Sequence, residues 1–209
     1  MQRIPEPEEL MEDPAQAVAY ARADFTEANQ LFTELVERQA GTDLNGRLLD
    51  LGCGPADIPI ALAHRHPGLQ IDALDGAKAM LDLAREKLDG DRVAGERVRL
   101  RCSYLPCSDL PHKAYAMIVS NSLLHHLGDP AVMWQTVTHA AMPGAQVDSF
   151  LARLLDHDTI NFEVRQLIVA KIKAHLVGDT VEQVFVQEEN EAPEGMADRP
   201  VRFRLSLSA

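Results

Sequence analysis

The sequence predicts an α/β fold, in which a single domain contains a doubly wound, mostly parallel β-sheet. Short apolar segments alternate with helical segments from residue 47 to residue 147. Such alternation is typical of a parallel sheet with helices on its faces. A glycine turn joins the first predicted strand directly to a helix, as βα units require. The 209 residues, 46% of them hydrophobic, can bury one domain core and are few for two.

An amphipathic helix is predicted ahead of the first strand. Asp13 and Pro14 provide an N-cap and a proline at the first helical position. Apolar residues then recur every three or four positions over 18–35, which indicates one helical face packed on the domain. Residues 1–40 are therefore interpreted as an N-terminal helical cap.

The first strand is predicted over residues 47–51, after the turn signal at Asn45 and Gly46. Its short apolar run is typical of a strand covered on both faces. Asp50 is the only acidic residue in that run, and it stands directly before the glycine turn. An acid at this position suits a ligand that carries a cationic group.

Gly52 and Gly54 form the turn between this strand and the following helix. Without side chains at these positions, a ligand can contact the main chain at a helix N-terminus. A dinucleotide-binding fingerprint would require a third glycine where the chain has Asp57. NAD and FAD are therefore disfavoured.

Helices and strands continue to alternate along the chain. Pro67 and Gly68 end the helix after the glycine turn, and Gly90 ends the next one. Asp158 can cap a long distal helix that ends before Gly178. The predicted segments are a strand closed by Asp75, a helix over 77–88, a strand over 98–101, a strand over 180–187 and a half-exposed strand over 201–207.

The order of these motifs resembles that of the class I S-adenosylmethionine-dependent methyltransferases. Residues 48–54, LLDLGCG, match the family's first motif, hhD-h-G-x-G. Asp75 closes the second strand at about the distance expected for a ribose-binding acid. Residues 115–127, YAMIVSNSLLHHL, with the Asp129-Pro130 that follows, are similar to the fourth strand and loop of ubiquinone-type, small-molecule members.

The resemblance implies a Rossmann-like, seven-stranded, mostly parallel sheet with an antiparallel last strand and an N-terminal helix. Residues 1–209 would form one methyltransferase-like domain, with a cofactor-binding core over 41–147 and divergent distal elements over 148–209. The implied cofactor is S-adenosyl-L-methionine. Its methionine end is assigned to Asp50, Gly52, Cys53, Gly54 and Asn121, its ribose to Asp75, and its adenine to Gly76, Met80 and Ser103.

Two segments depart from the family pattern. The third strand would normally end in Gly-Asp, whose acid or backbone holds the adenine amino group, but this chain has Cys102 and Ser103. Backbone or Ser103 contacts would have to replace that acid. The fifth strand is expected after Pro143-Gly144, although residues 145–155 alternate only irregularly.

His125 is the candidate for acceptor chemistry, because imidazole titrates near neutral pH and follows the strand that faces the cleft. In the alternative interpretation, one residue of the pair His125 and His126 packs on Leu123 and Leu124 while the other is solvated. No metal site is predicted, because no carboxylate or cysteine spacing accompanies the histidines.

Charge and composition limit the kinds of binding partner. A net charge of −12 argues against nucleic acid as a partner. No apolar run is long enough for a membrane span, and the start lacks the pattern of a secretion signal. Three cysteines without metal-ligand spacing suit a reducing compartment. A cytoplasmic protein with a small-molecule methyl acceptor is expected, and a homodimer is kept as one oligomeric state.

Three functional classes remain open from the sequence. The first is a methyltransferase of the EC 2.1.1 type that acts on a small molecule by in-line methyl transfer. The second is a catalytically silent protein that binds S-adenosylmethionine or S-adenosylhomocysteine. The third is an NAD-dependent oxidoreductase, against which Asp57 argues.

Overall fold

The structure is a computed structural model that describes residues 10–129, 131–151, 181–188 and 201–207. The chain forms two compact units, residues 1–107 and residues 108–209. The predicted helix that begins at Asp158 lies outside the described residues, as does most of the predicted loop between the last two strands.

The first unit is a three-stranded parallel sheet with helices. Its strands lie in the order β3-β2-β1, and β2 pairs in parallel with both neighbours. In this register, Asp50 on β1 is level with Ala73, and Asp75 on β2 is level with Cys102. Its elements are α1 (Pro14–Ala21), α2 (Thr26–Ala40), β1 (Asn45–Leu51), α3 (Asp57–Arg65), β2 (Gly68–Asp75), α4 (Lys78–Asp89), α5 (Arg92–Gly95) and β3 (Val98–Cys102).

The N-terminal segment contains two helices where the sequence predicted one continuous helix. The predicted start is confirmed, since the Asp13 side chain accepts a hydrogen bond from Ala15 N at 2.7 Å. The helix is interrupted because the Asp24 carboxylate accepts from Thr26 N at 3.0 Å and so stabilises a local turn. The prediction of one continuous N-terminal helix was therefore wrong, although its start was right.

The core of the first unit lies on both faces of its sheet. The apolar side chains of β1 and β2 are almost completely buried, as the apolar run predicted. One buried acid on β2 is compensated locally: Asp72 Oδ2 accepts from Arg47 at 2.6 Å, and its Oδ1 accepts from Arg101 at 3.0 Å. These ion pairs join the three strands.

The second unit also begins with a parallel strand pair. β4 pairs in parallel with β5, and Asn121 on β4 is level with Phe150. β7 runs antiparallel to both β5 and β6, so the order is β4-β5-β7-β6. Its elements are β4 (Tyr115–Asn121), a 3-10 turn (Leu124–His126), α6 (Ala131–Ala140), β5 (Ala141–Leu151), β6 (Val181–Glu188) and β7 (Val201–Leu207).

The predicted α/β class with a parallel sheet is confirmed. Five described strands, β1 to β5, make parallel pairs, and helices stand between most of them in sequence. The predicted fifth strand is present and begins earlier than expected, at Ala141, directly after α6.

Candidate functional site at the strand ends

The loop after β1 folds back against the end of β2. Gly52 N and Cys53 N both donate to Leu74 O, at 2.8 Å and 3.0 Å. Gly52 and Gly54 have φ angles of 76° and 52°, in the left-handed region that favours glycine. A Cβ built on Gly54 would meet no atom within 4 Å. The turn therefore lies beside open space at Gly54, and the amides of Gly52 and Cys53 are bonded within the protein.

Asp75 ties this loop to the start of the next helix. Its Oδ2 accepts a hydrogen bond from Gly54 N at 2.8 Å, and its Oδ1 accepts from Ala77 N at 2.8 Å. A carboxylate has about four lone-pair positions, so both oxygens can accept further bonds from a ligand. Asp75 is thus fixed in orientation at the carboxyl end of β2, where a diol could be bound.

Asp50 is a carboxyl group buried at the end of β1. It is 1% exposed, and among the described residues no group donates a hydrogen bond to its Oδ1. Burial, and then the negative charge of Asp75, raise the pKa of Asp50 to about 8. Near neutral pH the group is largely protonated, and a cation placed beside it would favour its ionised form.

Cys53 is a packed thiol. It is 8% exposed. Burial, and then the charges of Asp50 and Asp75, raise the pKa of the Cys53 thiol well above its usual range. Since the thiolate is the reactive form, Cys53 is unsuited to act as a nucleophile at neutral pH.

Gly76 lies beneath two side chains that the sequence did not single out. A Cβ on Gly76 would lie 3.1 Å from Leu10 Cδ1 and 3.2 Å from Tyr104 Cδ1. Tyr104 follows β3 by two positions and is 61% exposed. Leu10 precedes α1. No local sequence pattern marked Leu10 or Tyr104 as part of the site.

Ser103 stands beside Asp75. Ser103 N donates to Asp75 O at 3.1 Å and continues the pairing of β2 with β3. Its hydroxyl, however, points into its own loop, 3.3 Å from Cys107 Sγ and 3.4 Å from Tyr104 O. The side chain is thus engaged locally while the backbone lies at the strand ends.

Met80 is placed behind the strand ends. It is 4% exposed and packs with Ala17 of α1 and Ala77. Leu10 and Tyr20 pack against the same cluster from the N-terminal segment. The Tyr20 and Phe25 rings also contact each other, with centroids 4.9 Å apart. The helical cap thus packs on α4 through Met80.

Asn121 and His125 belong to the second unit. Asn121 is the last residue of β4, and Ser122 Oγ lies 3.4 Å from its Oδ1. Ser122 has a φ of 58°, an uncommon conformation for a residue other than glycine. His125 lies in the 3-10 turn that follows, and Leu124 beside it is 6% exposed.

The predicted site residues therefore fall into two groups. Except for Asn121, the residues predicted to hold the cofactor lie at or near the carboxyl ends of three adjacent strands of the first unit. That group comprises Asp50, Gly52, Cys53, Gly54, Asp75, Gly76 and Ser103, with Met80 buried behind them. Asn121 and His125 form the other group, after β4.

Two histidines of the first unit pair with separate acids. His64 Nε2 lies 2.5 Å from Asp91, and His66 Nε2 lies 2.8 Å from Glu37. Within the described part of the chain, no group of three or more side chains could hold a metal ion. No helix among the same residues is long and apolar enough to cross a membrane.

Comparison with known sequences finds a matching family model and several relatives. Residues 49–147 match the family described as Methyltransferase domain. Trans-aconitate 2-methyltransferase of Mycobacterium tuberculosis is 37% identical over 109 residues, which are 51% of this chain and 38% of that protein. Malonyl-(acyl-carrier protein) O-methyltransferase of a Paenibacillus species is 27% identical over 57% of this chain and 43% of that protein. The chain thus spans less than half the length of either relative.

Comparison with solved structures supports the fold. A SAM-dependent methyltransferase from Aquifex aeolicus superposes with a TM-score of 0.69 at 17% sequence identity. The match covers 92% of this chain and 97% of that one. At this identity the likeness shows a shared fold.

Proposed function

We propose that this chain is a class I S-adenosylmethionine-dependent methyltransferase, which transfers the methyl group of S-adenosyl-L-methionine to a small-molecule acceptor. The match of residues 49–147 to the family described as Methyltransferase domain supports this proposal. The observation that carries the proposal is the arrangement at the ends of β1 and β2. There an open glycine turn lies between a buried acid, Asp50, and an oriented acid, Asp75.

The methionine end of the cofactor is assigned to the turn after β1. Gly52, Cys53 and Gly54 form this turn, and the open space beside Gly54 leaves room for a ligand. Asp50 supplies a carboxyl group without a donor to its Oδ1 among the described residues. The α-ammonium group of the cofactor has the charge and the donors that would suit this acid.

The adenosine end is assigned to the ends of β2 and β3. Asp75 would accept the ribose hydroxyls while it holds Gly54 N and Ala77 N. Adenine would lie near Gly76 and the backbone of Ser103. Met80 would support this end from the core rather than by exposed contact, given its burial.

Methyl transfer from a sulfonium makes small demands on the protein. An acceptor lone pair forms the new bond to the methyl carbon as the carbon–sulfur bond breaks, and S-adenosylhomocysteine leaves with the electron pair. Alignment alone can contribute about 7 to 11 kcal/mol to such a step. A general base adds roughly 10²-fold to 10⁴-fold where the acceptor must lose a proton. His125 is proposed for that role, and Asn121 for a contact to the methionine end.

The test of this function is transfer of an isotope-labelled methyl group from the cofactor to small acceptors. Trans-aconitate and a malonyl thioester are the first two to try, because the relatives named above carry them in their names. We expect the wild-type protein to place label in a small-molecule product and the Gly52→Arg variant to place none. Binding of the cofactor without transfer to any acceptor in a broad panel would instead favour a silent binding protein.

The role of His125 has its own readout. His125→Ala should lower kcat by roughly 10²-fold or more while S-adenosylhomocysteine affinity stays unchanged. His126→Ala, one position along the same 3-10 turn, is the matched control. Equal effects of both substitutions would contradict a specific role for His125.

We also propose that the chain forms one cytoplasmic domain over 1–209 with a seven-stranded sheet and an antiparallel last strand. Support comes from β7, which pairs antiparallel with both β5 and β6. Removal of residues after 151 should then abolish cooperative unfolding, because β5 would lose its antiparallel partner.

Sedimentation of the full chain would decide between a monomer and a homodimer.

A further inference from the structure

The end of β3 lacks the carboxylate that the family pattern provides for the adenine amino group. β3 ends in Cys102, and Ser103 follows. The Ser103 hydroxyl lies 3.3 Å from Cys107 Sγ and is engaged within its own loop. A carboxylate acceptor for this amino group would therefore come from another segment of the chain.

Glu12 is held at this end of the sheet by two contacts. The Tyr104 hydroxyl donates to Glu12 Oε1 at 3.1 Å, which joins residues 92 positions apart in sequence. Glu12 N donates to Leu10 O at 2.8 Å in a tight turn. That turn sets Leu10 against Gly76 while the carboxylate of Glu12 stays exposed.

Gly76 locates these groups relative to the bound nucleoside. It follows Asp75, the acid proposed for the ribose, and both Leu10 and Tyr104 lie over it. The base attached to that ribose would therefore extend toward this pair of side chains. A tyrosine ring that is 61% exposed can present its face or edge to a purine.

We propose that Glu12 recognises the amino group of adenine in this protein, and that Tyr104 is the residue that positions its carboxylate. This inference rests on the proposed function, since it requires an adenosyl cofactor. A carboxylate that accepts one bond from Tyr104 keeps lone pairs for an amino donor. The bond from Tyr104 also raises the pKa of the phenol, which keeps it protonated as a donor.

The experiment is a calorimetric comparison of two ligands. One is S-adenosylhomocysteine, and the other is its analogue with hydrogen in place of the purine 6-amino group. The wild-type protein should prefer the amino ligand by roughly 10-fold or more, as expected for a hydrogen bond to a charged group. Glu12→Ala should lose this preference and bind both ligands about equally, and Tyr104→Phe should reduce it.

Glu27→Ala is the matched control, because Glu27 is an exposed acid in the first turn of α2. It should retain the wild-type preference. The ratio of two affinities on one variant is insensitive to a general loss of stability, so it separates recognition from folding. An unchanged ratio in Glu12→Ala overturns the inference and leaves the cofactor site intact. Failure of the wild-type protein to bind S-adenosylhomocysteine overturns both the proposed function and this inference.

Discussion

The loops after β1 and β4 differ in how their conformation is specified. After β1, positive φ angles fall on Gly52, Gly54 and Ala56, and Leu74 O and the Asp75 carboxylate fix the amides of residues 52–54. After β4, the positive φ falls on Ser122, and the chain enters a 3-10 turn. Glycine residues and hydrogen bonds of the loop amides fix the conformation of the first loop, whereas the second loop carries varied side chains.

This difference explains why a cofactor can be assigned and an acceptor cannot. A ligand bound through main chain imposes glycines and an acid at fixed spacing, which are visible in a sequence. A ligand bound through side chains of a loop leaves no such pattern.

Gly52→Arg should have the largest effect. The side chain would occupy the space left for the ligand, and a left-handed residue other than glycine costs about 1 to 2 kcal/mol. We expect affinity for S-adenosylhomocysteine to fall more than about 100-fold, or roughly 3 kcal/mol. Calorimetry on protein shown to be folded by circular dichroism measures it.

Gly41→Arg is the control for backbone strain. Gly41 has a φ of 92° after α2, and a Cβ there would meet no atom within 4 Å. It should lower the melting temperature without weakening cofactor binding. Equal binding losses in the two variants would mean that strain, and not occupancy of the site, explains the effect.

Asp75→Asn should have the next largest effect. The side-chain NH2 of the asparagine would face a donor, either Gly54 N or Ala77 N. The loop would therefore lose one hydrogen bond, and the ribose would lose one acceptor. The loss of stability should be about 1 to 3 kcal/mol, with affinity reduced by roughly 10-fold or more. Asp57→Asn, at an acid that pairs with Lys87, should leave affinity unchanged. Wild-type affinity in Asp75→Asn would rule out Asp75 as a ribose ligand.

Asp50→Asn should change how stability depends on pH. The folded-state pKa of Asp50, about 8, exceeds its ordinary value of 3.8. Between these values the folded state holds a proton that the unfolded state has released, so wild-type stability falls as pH rises through about 8. The variant buries no charge and should melt higher than the wild type at about pH 8, with a flatter profile. If the melting temperatures of the wild type and the variant differ by the same amount at every pH between about 5 and about 9, the raised pKa of Asp50 is contradicted.

Met80→Ala should affect stability more than binding. Met80 is 4% exposed in the cluster with Ala17 and Ala77, and truncation of a buried methionine costs about 2 to 5 kcal/mol. Met142→Ala, at a residue that is 39% exposed, is the control and should change stability by no more than about 0.5 kcal/mol. A selective loss of affinity in folded Met80→Ala would show that the side chain contacts the ligand.

Local patterns predicted most of the fold that the structure describes. The run before Gly52 and the acid Asp75 were recognisable because strand burial and turn geometry restrict neighbouring residues. The break between α1 and α2 was missed, because apolar periodicity continues across a turn that the Asp24 side chain stabilises. The start of β5 was missed as well, because the strand begins at Ala141, before the Pro143-Gly144 pair after which it was expected.

The adenine end of the site was the least predictable part. Glu12 and Tyr104 meet across 92 positions of sequence, and no local rule relates two such residues. Their contact depends on how α1 packs on α4 through Ala17 and Met80. Only the absence of an acid after β3 signalled that this end differs from the family pattern.

The most direct test of the account is calorimetric titration of the purified protein with S-adenosylmethionine, S-adenosylhomocysteine and NAD at moderate salt. Binding of the first two ligands without binding of NAD is the predicted result. It would agree with the glycine turn, with Asp75, and with Asp57 in place of a third glycine. Binding of NAD, or binding of none of the three ligands, would contradict the assignment of this site to S-adenosylmethionine.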